Sequence, residues 1–304
     1  MTGSTEKRMA PARFGQSELG AVATMAWRAT ARAFRMNATT SIGAIALLII
    51  VLSALLAPWI APYDPLEQNI LESLQPSSAL HWLGTDYYGR DTLSRILYGA
   101  RLSLLIGLLS ILLAVVVGTL IGLVSGYFGG KLDIVIMQVM DVILAFPSLI
   151  LGLILVAMLG ASVTNLILAI AFTAIPAFAR IARAPTIALR EREFVQAGRA
   201  LGYSDSRIMF RHLLPNIVPD VLVMASLWMA TAVRVEASLA FIGLSVAPPT
   251  PTWGGMVREG FENILDSYAL ALFPSLAVLI LVLALNLIGD GLRDAIDPNL
   301  RTES

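Results

Sequence analysis

Three ionisable residues lie within strongly apolar stretches of the chain: Asp141, Arg234 and Glu236. A charged side chain at the centre of a membrane helix costs about 3 kcal/mol on insertion scales, so such residues face a cavity or one another. Arg234 and Glu236 are two positions apart and project from different faces of a helix, which leaves Asp141 as a partner for Arg234. A polar cavity along a solute path, a structural ion pair and a proton relay would each use these residues.

The common sequence motifs of hydrolases, metalloenzymes and nucleotide-binding enzymes are absent from the sequence. The sequence contains no HExxH, GxSxG, GxxxxGK[ST] or CxxC motif. Gly129-Gly130-Lys131 is followed by Leu132 rather than by the Ser or Thr of a phosphate-binding loop. The two histidines, His81 and His212, fall on opposite predicted sides of a membrane and cannot form a metal pair. We therefore predict no catalytic residue and no metal site.

The composition is that of a membrane protein. Of 304 residues, 57% are hydrophobic and 14% charged, whereas about a quarter of a soluble domain is charged. The formal net charge is zero, so no global field would recruit nucleic acid. The absence of cysteine excludes disulfides and thiolate ligands. The first 30 residues lack the apolar run of a signal peptide, so the N-terminus is expected to be retained.

Six segments are apolar enough, over about 20 residues, to cross a bilayer as helices. The predicted spans are Ile42–Ile60, Leu102–Val124, Ile134–Leu159, Val163–Ile181, Val218–Leu239 and Ala269–Ile288. An even number of crossings places both termini on one side. The predicted fold class is an all-α membrane protein with six transmembrane helices.

Basic residues indicate which side is cytoplasmic, because Lys and Arg in short loops favour the inside. They concentrate in the N-terminal stretch and between the fourth and fifth predicted spans: Lys7, Arg8, Arg13, Arg28, Arg32 and Arg35, then Arg180, Arg183, Arg190, Arg192, Arg199, Arg207 and Arg211. Both counts predict cytoplasmic termini. We predict a cytoplasmic tail over 1–37, a six-helix transmembrane domain over 38–300 and a short tail over 301–304. Residues 21–37 form either an interfacial amphipathic helix or a disordered basic tail.

Glycine and proline positions predict how the spans pack. Gly118, Gly122 and Gly126 recur every four residues and would let another helix approach closely. Pro147 and Pro176 interrupt the third and fourth predicted spans and permit kinks. The Pro- and Gly-rich stretch 248–255 predicts a stiff turn that caps the outer mouth.

The loop over 190–215 contains two short helical patterns. Residues 193–201 form an amphipathic helix that Gly202 can end with a positive φ. Ser204 or Asp205 can cap a second helix, which Pro215 would end. Small residues leave a surface on which a partner could fit closely, although a basic helix lying on the membrane explains the pattern equally well.

This segment resembles the EAA loop of ABC importer permeases, which forms a coupling helix against a cytoplasmic ATPase. Gln196-Ala197-Gly198 stands at the Glu-Ala-Ala triplet, with Gly202, Ile208 and Pro215 in register. The departures are Gln196 and Gly198. The residues that the resemblance assigns to ATPase coupling are Glu193, Gln196, Ala197, Gly198, Ala200, Leu201, Gly202, Ile208, His212 and Pro215.

Further motifs resemble the C permease of the dipeptide/oligopeptide/nickel family over about residues 40–300. They are Leu83-Gly84-Thr85-Asp86, Gly89-Arg90-Asp91, Ser94-Arg95, Tyr98-Gly99-Ala100-Arg101, Asp141 with Leu144-Ala145-Phe146-Pro147, Glu236-Ala237-Ser238-Leu239, Pro251-Thr252-Trp253-Gly254, the stretch 286–294 and Asp297-Pro298. Arg234 departs from the apolar residue expected at its position, which makes it a candidate for a solute-specific feature.

The resemblance implies a pore-forming subunit of an ATP-driven importer of peptides or related solutes in the bacterial inner membrane. Its expected partners are a second homologous permease, two cytoplasmic ATPase subunits, an extracytoplasmic solute-binding protein and membrane lipid. ATP and Mg²⁺ would bind the ATPases, leaving no cofactor in this chain. Asp141, Arg234 and Glu236 are the predicted cavity residues. The alternatives are a proton-coupled secondary transporter, which would leave the 193–215 segment unexplained, and a membrane scaffold.

Overall fold

The computed structural model of the chain describes residues 38–296, and the predicted helix over 21–37 lies outside this range. The described chain is helical. Its α-helices are α1 (Ala38–Ile60), α2 (Thr92–Phe128), α3 (Gly130–Leu144), α4 (Ser148–Leu159), α5 (Val163–Arg190), α6 (Glu193–Ala200), α7 (Asp205–Ile208), α8 (Leu214–Phe241), α9 (Trp253–Glu262) and α10 (Ala269–Ile296). A 3₁₀ turn covers Ile70–Glu72, and a π turn over Met209–Leu213 joins α7 to α8.

Five of these helical stretches are long and apolar enough to cross a membrane: Ala38–Ile60, Thr92–Phe128, Val163–Arg190, Asp205–Phe241 and Ala269–Asp294. The third predicted span is instead two helices, α3 and α4, which meet at 89°. Pro147 lies at the break, where a proline lacks an N–H and disfavours helix in the preceding residue. Counted as one broken span, the bent pair brings the number of spans among residues 38–296 to six.

The helices define two ends of the bundle. The coupling end contains the segment 191–213, the end of α2 and the start of α3; the loop end contains the loop 61–91 and α9. The bent pair α3–α4 runs between them: Gly129, just before α3, faces Arg190 at the coupling end, and Ala161, just after α4, lines a cavity at the loop end. Gly43 of α1 packs on Leu287 of α10, so both limits of the described chain lie at the coupling end.

The glycine stripe of α2 packs directly on α5, as its spacing predicts. A Cβ atom at Gly122 would lie 2.2 Å from the Ala179 carbonyl oxygen, and one at Gly118 would lie 2.6 Å from that of Ile175. The two helices approach so closely that only hydrogen fits between them. This contact forms the centre of the main hydrophobic core, which includes Leu123, Leu166 and Phe178.

Three local predictions are wrong. The fourth span continues two turns beyond Ile181 to Arg190, and Pro176 lies inside this uninterrupted helix. Pro215 does not end a helix, because the preceding π turn accommodates its missing N–H and α8 continues to Phe241. The turn-rich stretch 248–255 leads into a helix that the sequence analysis missed, α9, which Thr252 caps by accepting from the Gly255 N–H.

Candidate coupling and translocation sites

The segment after α5 folds as two short helices joined by a glycine. Gly202 has φ +76°, so α6 ends in the left-handed conformation that its sequence predicts. The Ser204 hydroxyl then caps α7 by accepting from the Arg207 N–H. The chain turns sharply here because each helix end has its own cap.

The predicted coupling residues divide into an exposed and a buried set. The side of α6 that faces away from the bundle carries the exposed residues Glu193, Gln196, Ala197, Ala200, Leu201 and Gly202, of which Leu201 is 72% exposed. The remaining four, Gly198, Ile208, His212 and Pro215, are buried or half-buried. Gly198 packs against the Tyr203 ring, which in turn stacks on His212 at 5.7 Å. The buried set holds the exposed set in place.

Polar contacts fix this segment to the ends of α2 and α5. The Tyr127 hydroxyl donates to Asp205 Oδ1 at 2.6 Å, and the Arg199 guanidinium lies over the Tyr127 ring. Arg190 Nη1 donates to the carbonyls of Gly126 and Tyr127 at 3.1 and 3.3 Å. Val195 is the apolar anchor of α6 and is 1% exposed. Tyr127 carried no sequence signal, because its partner is 78 positions away.

Asp141 pairs with Arg180 and not with Arg234, so the expected partner was wrong. Arg180 lies within the predicted fourth span, Val163–Ile181, although the sequence analysis counted it with the basic residues of the following loop. Each of the two side chains is 54% exposed on this isolated chain. They lie about 15 Å from the coupling end, measured as ten or eleven residues of helix. At that depth an exposed ion pair requires water or protein beside it.

The two cavity candidates on α8 have opposite surroundings. Glu236 is fully buried, and neither carboxyl oxygen has a partner that meets hydrogen-bond geometry, although the Ser103 hydroxyl interacts with it. Arg234 is exposed, and its guanidinium donates to the Thr231 hydroxyl at 3.0 Å. The structure therefore does not bring Asp141, Arg234 and Glu236 into mutual contact.

A buried charge cluster at the loop end was missed by the sequence analysis. Arg90 contacts Asp86 at 2.6 Å and Glu259 at 2.9 Å, and Arg95 contacts the same two carboxylates at 3.4 and 2.9 Å. Both arginine side chains are 2% exposed. Since Glu259 is 169 and 164 positions from the two arginines, spacing alone could not reveal the cluster. It joins α9 to the start of α2.

A cavity of about 900 Å³ opens beside this cluster. The loop containing Tyr87 and Tyr88, the stretch 243–252 and α9 line it. The turn-rich stretch therefore borders this cavity, and its predicted place at the outer mouth stays a prediction. The charges on the cavity wall are balanced, with Arg90, Arg95 and Arg258 facing Asp86, Glu259 and Glu262. The charged residues of the cavity wall therefore add up to no net formal charge.

Known proteins share both the sequence pattern and the helical arrangement. A family model described as binding-protein-dependent transport system inner membrane component matches residues 118–302. A second model, the N-terminal TM domain of oligopeptide transport permease C, matches residues 26–76. The chain belongs to the binding-protein-dependent inner-membrane permeases of ABC transporters.

Relatives that match over nearly their full length indicate which group of permeases the chain belongs to. The dipeptide transport system permease protein DppC of Alkalihalophilus pseudofirmus is 40% identical over 276 residues, covering 91% of each chain. The glutathione transport system permease protein GsiD of Pectobacterium atrosepticum is 41% identical over 279 residues, covering 91% of this chain and 92% of the relative. Within the class, the chain is a C-type permease of the dipeptide/oligopeptide/nickel group, an inner-membrane transport subunit and not an enzyme.

A solved structure shares the fold. The inward-facing MetNI methionine ABC transporter matches with a TM-score of 0.53 at 19% identity, over 67% of this chain and 97% of the matched chain. The bundle thus has the ABC importer permease fold.

Proposed function

We propose that this chain is one of two pore-forming subunits of an importer that moves short peptides or related solutes into the cytoplasm. The observation that carries the proposal is the exposed face of α6, whose Val195 is buried against the bundle and whose Arg199 guanidinium lies over the Tyr127 ring of α2. A surface that is exposed and yet anchored beside the ends of two membrane-spanning helices suits the transmission of force. A partner ATPase would dock there through Gln196, Ala197 and Leu201.

The expected mechanism couples two states of the bundle to ATP hydrolysis in the partner subunits, which bind ATP and Mg²⁺. Movement of α6 is passed to α2 and α5 together, because these helices are in backbone contact at Gly118 and Gly122. The 89° bend between α3 and α4 offers a joint next to this pair. Coupling of this kind requires that nucleotide and solute each prefer one of the two states.

The second permease would cover the charges that the isolated chain exposes at membrane depth. Asp141 and Arg180 cannot face hydrocarbon, so a homologous subunit or a water-filled path beside it accounts for their exposure. We place the coupling end in the cytoplasm, following the distribution of basic residues. The loop-end cavity then faces outward and receives solute from the binding protein. The names of the relatives favour a peptide-like cargo.

Replacing Gly202 with proline tests the coupling role. Proline cannot adopt φ +76° and removes the N–H that donates to the Arg199 carbonyl, so α6 should lose its fixed orientation. We expect peptide uptake to fall much further than ATP hydrolysis in proteoliposomes containing the whole complex.

Gly160→Pro is the matched control. Gly160 also has positive φ, open space around it and an N–H that donates to a helix carbonyl, but it lies at the loop end. It should leave the ratio of uptake to hydrolysis near that of the wild type. If Gly202→Pro has the same ratio of peptide uptake to ATP hydrolysis as the wild type, the proposed coupling role of this segment is contradicted.

A further inference from the structure

The outer half of α8 carries a polar face in an otherwise apolar span. Thr231, Arg234 and Ser238 lie within about 60° of one another around the helix axis, at about 100° per residue. The Ser238 hydroxyl donates to the Arg234 carbonyl, and Thr231 accepts from the Arg234 guanidinium. From Val223 to Ala240 every residue except Arg234 is buried or half-buried. On this stretch of α8, Arg234 is the one side chain that the bundle leaves exposed.

The direction of the Arg234 side chain argues against contact with lipid headgroups. Arg234 lies seven residues before Phe241, about 10 Å from the loop end of the helix. A guanidinium that sought the nearer headgroups would extend toward Phe241. It extends the other way, to Thr231, which is one turn deeper.

The charge of Arg234 is not compensated within the described chain. Its hydrogen bond to Thr231 is to a neutral hydroxyl, and no ion pair of residues 38–294 includes it. Arg180 differs, because Asp141 neutralises it. A guanidinium within a membrane span faces water or an anion, and its planar fork of N–H groups matches a carboxylate.

We propose that Arg234 binds a carboxylate of the cargo, such as the C-terminal carboxylate of a short peptide, as it crosses the bundle. The inference rests on the proposed function as a peptide importer. Thr231 orients the guanidinium, and Ser238 adds a second polar side chain to the same face. The competing source of the anion is a carboxylate of the second permease, which would make Arg234 an assembly contact.

The absence of cysteine from the chain permits a direct test. In the complete complex in proteoliposomes, Arg234→Cys should lower uptake of alanyl-alanine about tenfold or more, as expected for a lost hydrogen bond to a charged group. Aminoethyl methanethiosulfonate, which restores a positive charge at the introduced thiol, should recover most of the uptake. The sulfonatoethyl methanethiosulfonate reagent, which introduces a negative charge, should not recover uptake. The complex that contains the wild-type chain, treated with the same reagents, controls for reaction at cysteines of the partner subunits.

Cargo protection separates the two sources of the anion. Alanyl-alanine should slow the modification of the Arg234→Cys thiol several-fold, and its C-terminal amide should protect less. Modification that is unaffected by cargo, or uptake that is normal in Arg234→Cys, would overturn the inference. Should that variant fail to assemble, Thr231→Cys places the thiol on the same face one turn away, where the same protection is expected. If the wild-type complex does not take up alanyl-alanine, the peptide proposal itself fails and the inference with it.

Discussion

The two ends of the bundle hold their charges differently. At the loop end, Arg90 and Arg95 are buried and alternate with Asp86 and Glu259 in a closed cluster. At the coupling end, α6 and α7 are largely exposed and are attached to α2 by the Tyr127–Asp205 hydrogen bond, by the Arg199 guanidinium over the Tyr127 ring and by the buried Val195. A closed cluster resists motion because any displacement leaves a buried charge unpaired. Isolated contacts at a surface can be remade after movement.

This contrast suggests that the two ends have different mechanical roles. We propose that the loop end is a fixed scaffold, while the α6–α7 segment is an adjustable attachment for the proposed ATPase. The helices α2 and α5 join the two ends, with glycine contacts that leave no room for independent sliding. Three substitutions, one at each end and one between them, probe this difference.

Breaking the loop-end cluster should have the largest effect. Glu259→Gln leaves two buried arginines with one carboxylate, and removal of one partner from a buried pair costs about 3–5 kcal/mol. Because the Glu259 side chain is 31% exposed, we expect the lower limit of that range. Thermal unfolding of the purified complex in detergent should show a clear loss of stability.

The neighbouring pair Arg258–Glu262 provides the control. It has similar geometry at 2.8 Å, but its side chains are 44% and 56% exposed. Exposed pairs contribute about 0–1 kcal/mol, so Glu262→Gln should change stability little. If the two substitutions lower stability equally, the buried cluster stabilises the loop end no more than an exposed ion pair does.

Adding one methyl group between α2 and α5 should have an intermediate effect. Gly122→Ala places Cβ 2.2 Å from the Ala179 carbonyl oxygen, so the helices must separate. Overpacking of this kind costs about 1–3 kcal/mol. Both complex stability and peptide uptake should fall.

Gly152→Ala on α4 is the matched substitution, because its Cβ would meet only Leu239 at an ordinary 3.5 Å. It should be close to neutral by both measurements. If Gly122→Ala is also neutral, the close contact does not transmit motion between the ends.

Loosening the coupling end should have the smallest effect on stability and a selective effect on transport. Tyr127→Phe removes the hydrogen bond to Asp205, which contributes about 0.5–1.5 kcal/mol. We expect the complex to remain intact while solute uptake per ATP hydrolysed falls about two- to tenfold, the equivalent of that energy.

Tyr268→Phe at the loop end controls for the chemical change, since that side chain is 71% exposed. It should leave uptake per ATP unchanged. If Tyr127→Phe does not alter uptake per ATP hydrolysed, Tyr127 does not contribute to the coupling between α6 and the membrane helices.

Local chemistry explains which features the sequence could predict. Glycine spacing at 118, 122 and 126 predicts close packing, and Gly202 predicts a left-handed cap, because both depend on a missing side chain. Pro147 lies at a break and Pro176 does not, since tertiary packing decides whether a proline ends a helix. No local rule distinguishes them.

Pairings across the fold could not be predicted. Asp141 meets Arg180, and Glu259 meets Arg90, over 39 and 169 positions. Arg180 lies near the end of the predicted fourth span but was counted as a basic loop residue, so it was not considered as a partner for Asp141. The helix α9 escaped notice because it is short and follows a turn-rich stretch.

Reconstitution of peptide uptake tests the central claim most directly. This chain would be placed in liposomes with and without the second permease, the two ATPases and the binding protein, and uptake would be measured with ATP or with a proton gradient alone. We predict uptake only with the full set and ATP. Uptake by this chain alone, driven by the proton gradient, would contradict the account and establish a proton-coupled transporter.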